Sequence, residues 1–130
     1  MIDTKKRSYE NLILLNLKKH KISFICLAGY MKILSKKFLS SFGKRVVNIH
    51  PSLLPKFKGL NTFRKVLKYK EKKSGCTVHF VDDKLDSGKI ITKKKFFLKD
   101  SESERTLKIK TQKLEYLAYP EAIISIFRYS

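Results

Sequence analysis

No apolar run in the 130 residues is long enough to span a membrane. The best candidate, residues 22–34, is broken by Lys32. Cysteine is scarce. Cys26 and Cys76 stand far apart and form no metal-type pair. Both fall in apolar runs and read as buried free thiols in a reducing compartment, so a cytoplasmic location is expected. Glycine is also sparse. All five glycines lie at or after Gly29, so no glycine-rich turn follows a first strand. No repeat, low-complexity linker or domain boundary divides the chain, and residues 1–130 read as one domain.

Acidic residues are few. Eleven Asp and Glu face thirty Lys and Arg, a formal net charge of +19. Such a balance invites a nucleic-acid reading. The lysines are spread along the whole chain, however, and no named nucleic-acid motif accompanies them. Solvated lysine-rich faces are the favoured explanation, with attraction of anionic substrates as a by-product. Neither a specific nucleic acid nor a membrane is expected as partner. Whether the chain is monomeric or dimeric is not legible.

What is present is an alternation of helix and strand patterns. Tyr9, Leu12, Ile13 and Leu17 share one helical face, with Lys18 and Lys19 near its C-terminal end. Residues 22–28, 46–49, 76–81 and 90–98 read as strands. Ser35 can cap a short helix closed by Gly43, and Asn61 or Thr62 can cap the next. Ser101 to Glu104 has the capping-box pattern, and Pro120 is expected to break or restart the helix that follows. Alternating elements favour an α/β sheet with parallel strands.

Asn48 and His50 lie two apart on one expected strand, so their side chains point the same way. Pro51 restricts His50 to extended backbone. Asp86 sits in the loop after the strand carrying His79. Taken singly, each has a plainer reading as a turn residue or a satisfied histidine. Together they permit acyl transfer through a tetrahedral oxyanion. An amide and an imidazolium stabilise the charge, a carboxylate orients the imidazole, and the imidazole moves protons. That chemistry needs no metal and no covalent nucleophile.

Asn48-Ile49-His50-Pro51-Ser52-Leu53-Leu54-Pro55, followed by Phe57-Lys58-Gly59, resembles the signature of the folate-dependent formyltransferases. Leu27 to Ser35, Gly75 to Val81 and Leu85 to Ile91 continue the likeness in order. The resemblance implies a formyltransferase-type, Rossmann-like α/β fold with a mostly parallel sheet flanked by helices. The combination of His-Pro-Ser-Leu-Leu-Pro with Gly-Cys-Thr-Val-His-Phe is most similar to the branch that formylates glycinamide ribonucleotide in purine biosynthesis. The deformylase branch typically differs at Pro51 and Leu53. The methionyl-tRNA branch usually differs at Lys58.

The resemblance further implies 10-formyltetrahydrofolate as co-substrate, glycinamide ribonucleotide as acceptor and no metal. Asn48, His50 and Asp86 match the catalytic trio. Met31, Lys32, Ile33 and Leu34 match the pterin pocket, which Asn48 adjoins. Asp82, Asp83, Lys84, Leu85 and Asp86 match the folate loop. Gln112, Lys113, Leu114 and Glu115 match the helix that meets the ribonucleotide. The family's N-terminal strand and glycine-rich phosphate loop have no counterpart here. The chain is therefore expected to be the C-terminal portion of the fold, with an open sheet edge, uncovered apolar surface and limited stability. The alternatives are a formyltetrahydrofolate deformylase or another folate-dependent formyltransferase, and a folate-binding fragment without turnover.

Overall fold

Apolar runs of four to eight residues between charged, turn-prone segments are too short for independent helices and pair as strands. The computed structural model describes residues 4–30 and 32–128. Its elements are α1 (Thr4–Lys19), β1 (Phe24–Leu27), α2 (Lys36–Phe42), β2 (Arg45–His50), α3 (Thr62–Lys68), β3 (Lys73–Phe80), β4 (Ile90–Phe97) and α4 (Glu104–Arg128). The strands lie in the order β1-β2-β3-β4. β1 and β2 are parallel, joined across α2. β3 runs antiparallel to β2, and β4 antiparallel to β3. The α/β architecture is as expected, but the mostly parallel sheet is confined to the first pair. Loop 81–89 is too short to hold a crossover helix, so it returns the chain directly into β4.

Strand periodicity assigns the faces. Val46, Asn48 and His50 point one way from β2, and Val47 and Ile49 the other. Ile49, Cys76 and Val78 pack against Ala118 and Ala122 of α4. On the opposite face Val46 packs with Leu34 and Phe38, backed by Ile13, Leu14 and Leu17 of α1. Full burial of Val46, Val78, Leu34 and Phe38 contributes about 1.5–3 kcal/mol each. Tyr119 of α4 ties the layers by donating its hydroxyl to Leu27 O at 2.6 Å and Val47 O at 3.1 Å.

Several local expectations shift. In α1, Leu12 is 61% exposed and Leu14 takes its place inward. Cys26 is exposed, because β1 is the edge strand, while Cys76 is buried as expected. Ser35 caps α2 by accepting from the Phe38 N–H at 3.0 Å, and Gly43 closes it at φ 65°. Asn61 occupies the cap position of α3 at φ 60° without a side-chain capping bond. The box that opens α4 is Ser103 with Thr106, not Ser101 with Glu104. The Thr106 N–H donates to Ser103 Oγ at 3.2 Å, and the Ser103 N–H to Thr106 Oγ1 at 2.8 Å. Pro120 does not interrupt α4. It forfeits one backbone bond, but Ala118, Ala122 and Ile126 are buried on both sides of it and hold the helix on the sheet.

The outer edge of β1 has no strand neighbour among the described residues. Leu12, Leu15, Ile124 and Phe127 stand more than half exposed. Both features match the expected open edge and uncovered apolar surface. No helix among the described residues is long and apolar enough to cross a membrane.

Candidate active site

β2 and β3 present Asn48 and His50 on the face away from α4, and the antiparallel register sets His79 directly opposite Asn48. Asp86 arrives from loop 81–89 with its backbone in the left-handed region, φ 46°. A non-glycine residue there costs about 1–2 kcal/mol, which its side-chain contacts offset. Asp86 Oδ2 accepts the Gly59 N–H at 2.7 Å and lies 3.5 Å from His50 Nδ1. Asp86 Oδ1 lies 4.0 Å from His79 Nε2. One carboxylate therefore stands between two imidazoles, all three side chains at most 8% exposed.

The other nitrogen of His50, Nε2, donates to Phe57 O at 2.8 Å. Nδ1 thus faces the Asp86 carboxylate while Nε2 is held by a backbone carbonyl. Loop 51–59 is itself pinned. Thr77 Oγ1 accepts the Leu54 N–H at 3.0 Å and donates to Ser52 O at 2.7 Å, and Ser52 Oγ donates to Lys56 O at 2.6 Å. Nε2 would be free to engage another group only once its bond to Phe57 O is released. Catalytic hydrogen bonds commonly tighten only once substrate is present.

Asn48 Oδ1 is buried with no hydrogen-bond partner among the described residues, as is His79 Nε2. Leaving such groups unsatisfied costs about 1–3 kcal/mol each, so both invite a ligand that brings hydrogen-bonding groups. They line a cleft with Lys32, Ile33, Leu34, Asp82, Lys84, Leu85 and Asp86. Most of the expected cofactor residues thus converge. Asp83 is not in the lining, and Met31 lies outside the described residues. The enclosed space is only about 40 Å³, room for a water molecule rather than a fused ring. Ile33 and Leu85, 41% and 42% exposed, are the side chains whose parting would widen it.

Gln112, Lys113, Leu114 and Glu115 do not join this cleft. They belong to α4, which packs on the other face of the sheet, where Leu114 meets the Ile49–Val78 cluster. Burial pushes the Glu115 carboxyl up. Burial, with Glu115 nearby, also pushes the Cys76 thiol up to about 11, so Cys76 is no thiolate nucleophile at neutral pH. Sequence reasoning left His79 without a partner. Leu27, Tyr30 and Val81 also line the cleft without having been singled out. The antiparallel pairing of β2 with β3 was the missing signal for His79.

A model of the formyl transferase family matches residues 3–123. The trifunctional purine biosynthetic protein adenosine-3 of Drosophila melanogaster is 43% identical over 115 residues, covering 88% of this chain and 8% of that protein. The phosphoribosylglycinamide formyltransferase of Bacillus subtilis is 36% identical over 118 residues, covering 91% and 60%. The crystal structure of the phosphoribosylglycinamide formyltransferase from Bacillus halodurans superposes with a TM-score of 0.90 at 35% identity, over 95% of this chain and 64% of that one. The chain thus spans less than two thirds of each of these relatives. With nearly its whole length matched by one family model and its sheet superposing on a solved member, the chain belongs to the formyl transferase family.

Proposed function

We propose that this chain carries the folate-binding and catalytic part of a phosphoribosylglycinamide formyltransferase, moving a formyl group from 10-formyltetrahydrofolate to the amine of glycinamide ribonucleotide. The observation that carries the reading is the Asp86 carboxylate facing both His50 and His79, with the Asn48 side chain directly opposite His79 on the same face. The acceptor amine attacks the formyl carbon and forms a C–N bond, leaving a tetrahedral oxyanion. The Asn48 side-chain amide N–H and the His50 imidazolium stabilise that charge. Asp86 holds His50 oriented. The proton lost by the attacking amine reaches the departing folate nitrogen through the imidazole as the old C–N bond breaks.

Lys32, Ile33, Leu34, Asp82, Asp83, Lys84 and Leu85, with Met31, would hold the folate once the two flanking loops part. Gln112, Lys113, Leu114 and Glu115, midway along α4, are proposed to meet the ribonucleotide. The reading also puts the chain in the cytoplasm, where Cys26 and Cys76 stay reduced.

A chimera tests the proposal. Residues 3–123 of this chain replace the matching region of the Bacillus subtilis relative, and a purine auxotroph lacking that enzyme is the host. Growth without purines is expected, and His50→Ala in the chimera should abolish it while leaving binding of a folate analogue within a few-fold. A folded chimera that binds the analogue but forms no product would favour the inactive-fragment reading. Unchanged turnover in the His50→Ala chimera would end the role given to His50.

A further inference from the structure

Loop 51–59 has a second side, which faces away from Asp86. The Thr77 hydroxyl pins the loop over the face of β3 and β4. On that face Lys93 lies opposite Thr77, Lys95 opposite Gly75, and Lys73 opposite Phe97. Gly75 contributes no side chain, and a Cβ there would fall 1.8 Å from Lys94 O. A cavity of about 400 Å³ remains between loop and strands. Leu53, Pro55 and Phe57 supply accessible apolar wall, and Lys73, Lys93 and Lys95 line the strand side. Leu54 and Val66 behind them are 2% and 1% exposed and anchor the loop in the packed interior.

The charge in this lining is one-sided. Its single carboxylate, Glu71, is held by Lys56 Nζ at 2.9 and 3.0 Å. Lys73 and Lys93 have no ion-pair partner among the described residues, and the Lys95 ammonium sits 5.7 Å from the Phe97 ring. Three lysines on a strand face are ordinarily a solvated surface. The apolar wall beside them distinguishes these, and the volume falls in the range of small-ligand pockets.

We propose that this cavity binds a small organic anion, a carboxylate or phosphate ester on a ring or short alkyl body, and that its occupant governs Phe57 and through it His50. The apolar body lies on Leu53, Pro55 and Phe57, and the anionic group meets Lys73, Lys93 and Lys95. Phe57 is the link. Its backbone is left-handed at φ 57°, its ring stacks on Tyr69 at 5.8 Å, and its carbonyl accepts from His50 Nε2. A ligand that shifts the ring shifts the carbonyl, and with it the nitrogen that must be released for proton transfer. Binding itself is independent of the proposed formyl transfer; only its consequence for turnover rests on that reading.

The test uses the chain with 1-naphthyl phosphate as probe, followed by calorimetry, and imidazole NMR signals as the second readout. Saturable binding of one equivalent is expected, and inorganic phosphate at the same concentration should not displace it. Lys93→Glu with Lys95→Glu should weaken binding by about tenfold or more. Arg105→Glu with Lys108→Glu, an equal charge change on exposed α4 positions, should leave it within twofold. The His50 signals should move on saturation. Equal weakening by both variant pairs, or displacement by inorganic phosphate alone, would overturn the site as a product of general positive charge. Binding with unmoved His50 signals would overturn the coupling. Melting curves matching the parent show that the variants are folded.

Discussion

Asp86 and Gly59, 27 positions apart, meet through a 2.7 Å hydrogen bond from the Gly59 N–H to the same carboxylate oxygen that faces His50. The bond ties loop 81–89 to loop 51–59, so the orientation of one imidazole depends on two loops at once. Asp86→Asn keeps an acceptor for Gly59 but removes the charge opposite His50. Formyl transfer in the chimera should fall by about 10²- to 10⁴-fold, with folate-analogue affinity changed only a few-fold. Steady-state kinetics beside equilibrium binding measures this, and a parallel loss of both would point to a collapsed loop instead.

Thr77 shows how the loop is held. Its buried hydroxyl serves the Leu54 N–H and the Ser52 carbonyl together. Thr77→Val preserves shape and leaves both backbone groups unpaired, so urea unfolding should show a loss of about 2–4 kcal/mol. Thr77→Ser keeps the hydroxyl and should lose much less. Equal losses in the two variants would assign the effect to packing.

Glu10 is a buried carboxylate, 4% exposed, that accepts from Ser35 N at 2.9 Å and Ser35 Oγ at 2.5 Å. It thereby fixes the start of α2 and the end of the segment carrying Ile33 and Leu34. Glu10→Ala is expected to destabilise the chain by about 2–3 kcal/mol. Amide exchange should also quicken through residues 32–38 more than in β2 and β3. A uniform change across the sheet would contradict a local anchoring role.

Glu102 supplies a pH-dependent contribution. The Lys110 ammonium at 2.5 Å, with the Lys99 N–H at 3.1 Å, holds its carboxyl down to about 2. An unfolded Glu titrates near 4.3. Because the folded value is the lower one, the stabilisation is complete above about pH 4.3 and fades as pH falls toward 2. Glu102→Gln should cost about 1 kcal/mol near neutrality, as a partly screened pair does. The gap from the parent should close between about pH 4.3 and 2 in a series of thermal melts. A gap constant down to pH 2 would refute the pairing.

Strand positions, helix order and the Ser35 and Gly43 caps were legible because each depends on residues within a few positions of one another. So was the convergence of Asn48 and His50, since a period of two puts them on one side of any strand. His79 was not, because its place opposite Asn48 and facing Asp86 follows from the antiparallel register of β2 and β3, which no local pattern encodes. Leu12, Cys26 and Pro120 were misjudged for a related reason. Neighbouring elements decide whether a helical face is rotated inward, whether a strand lies at an edge, and whether packing on both sides outweighs one missing amide bond.

The amino-acid sequence alone determined the α/β alternation, the family likeness and the residue types available for acyl transfer, since these reside in short ordered motifs. Only the tertiary structure decided that one carboxylate faces two histidines, that Phe57 O accepts from Nε2 of His50, and that α4 with Glu115 lies across the sheet from the cleft. Those relationships join segments tens of residues apart, and they exist only when chain folding brings the two loops over the same face of the sheet.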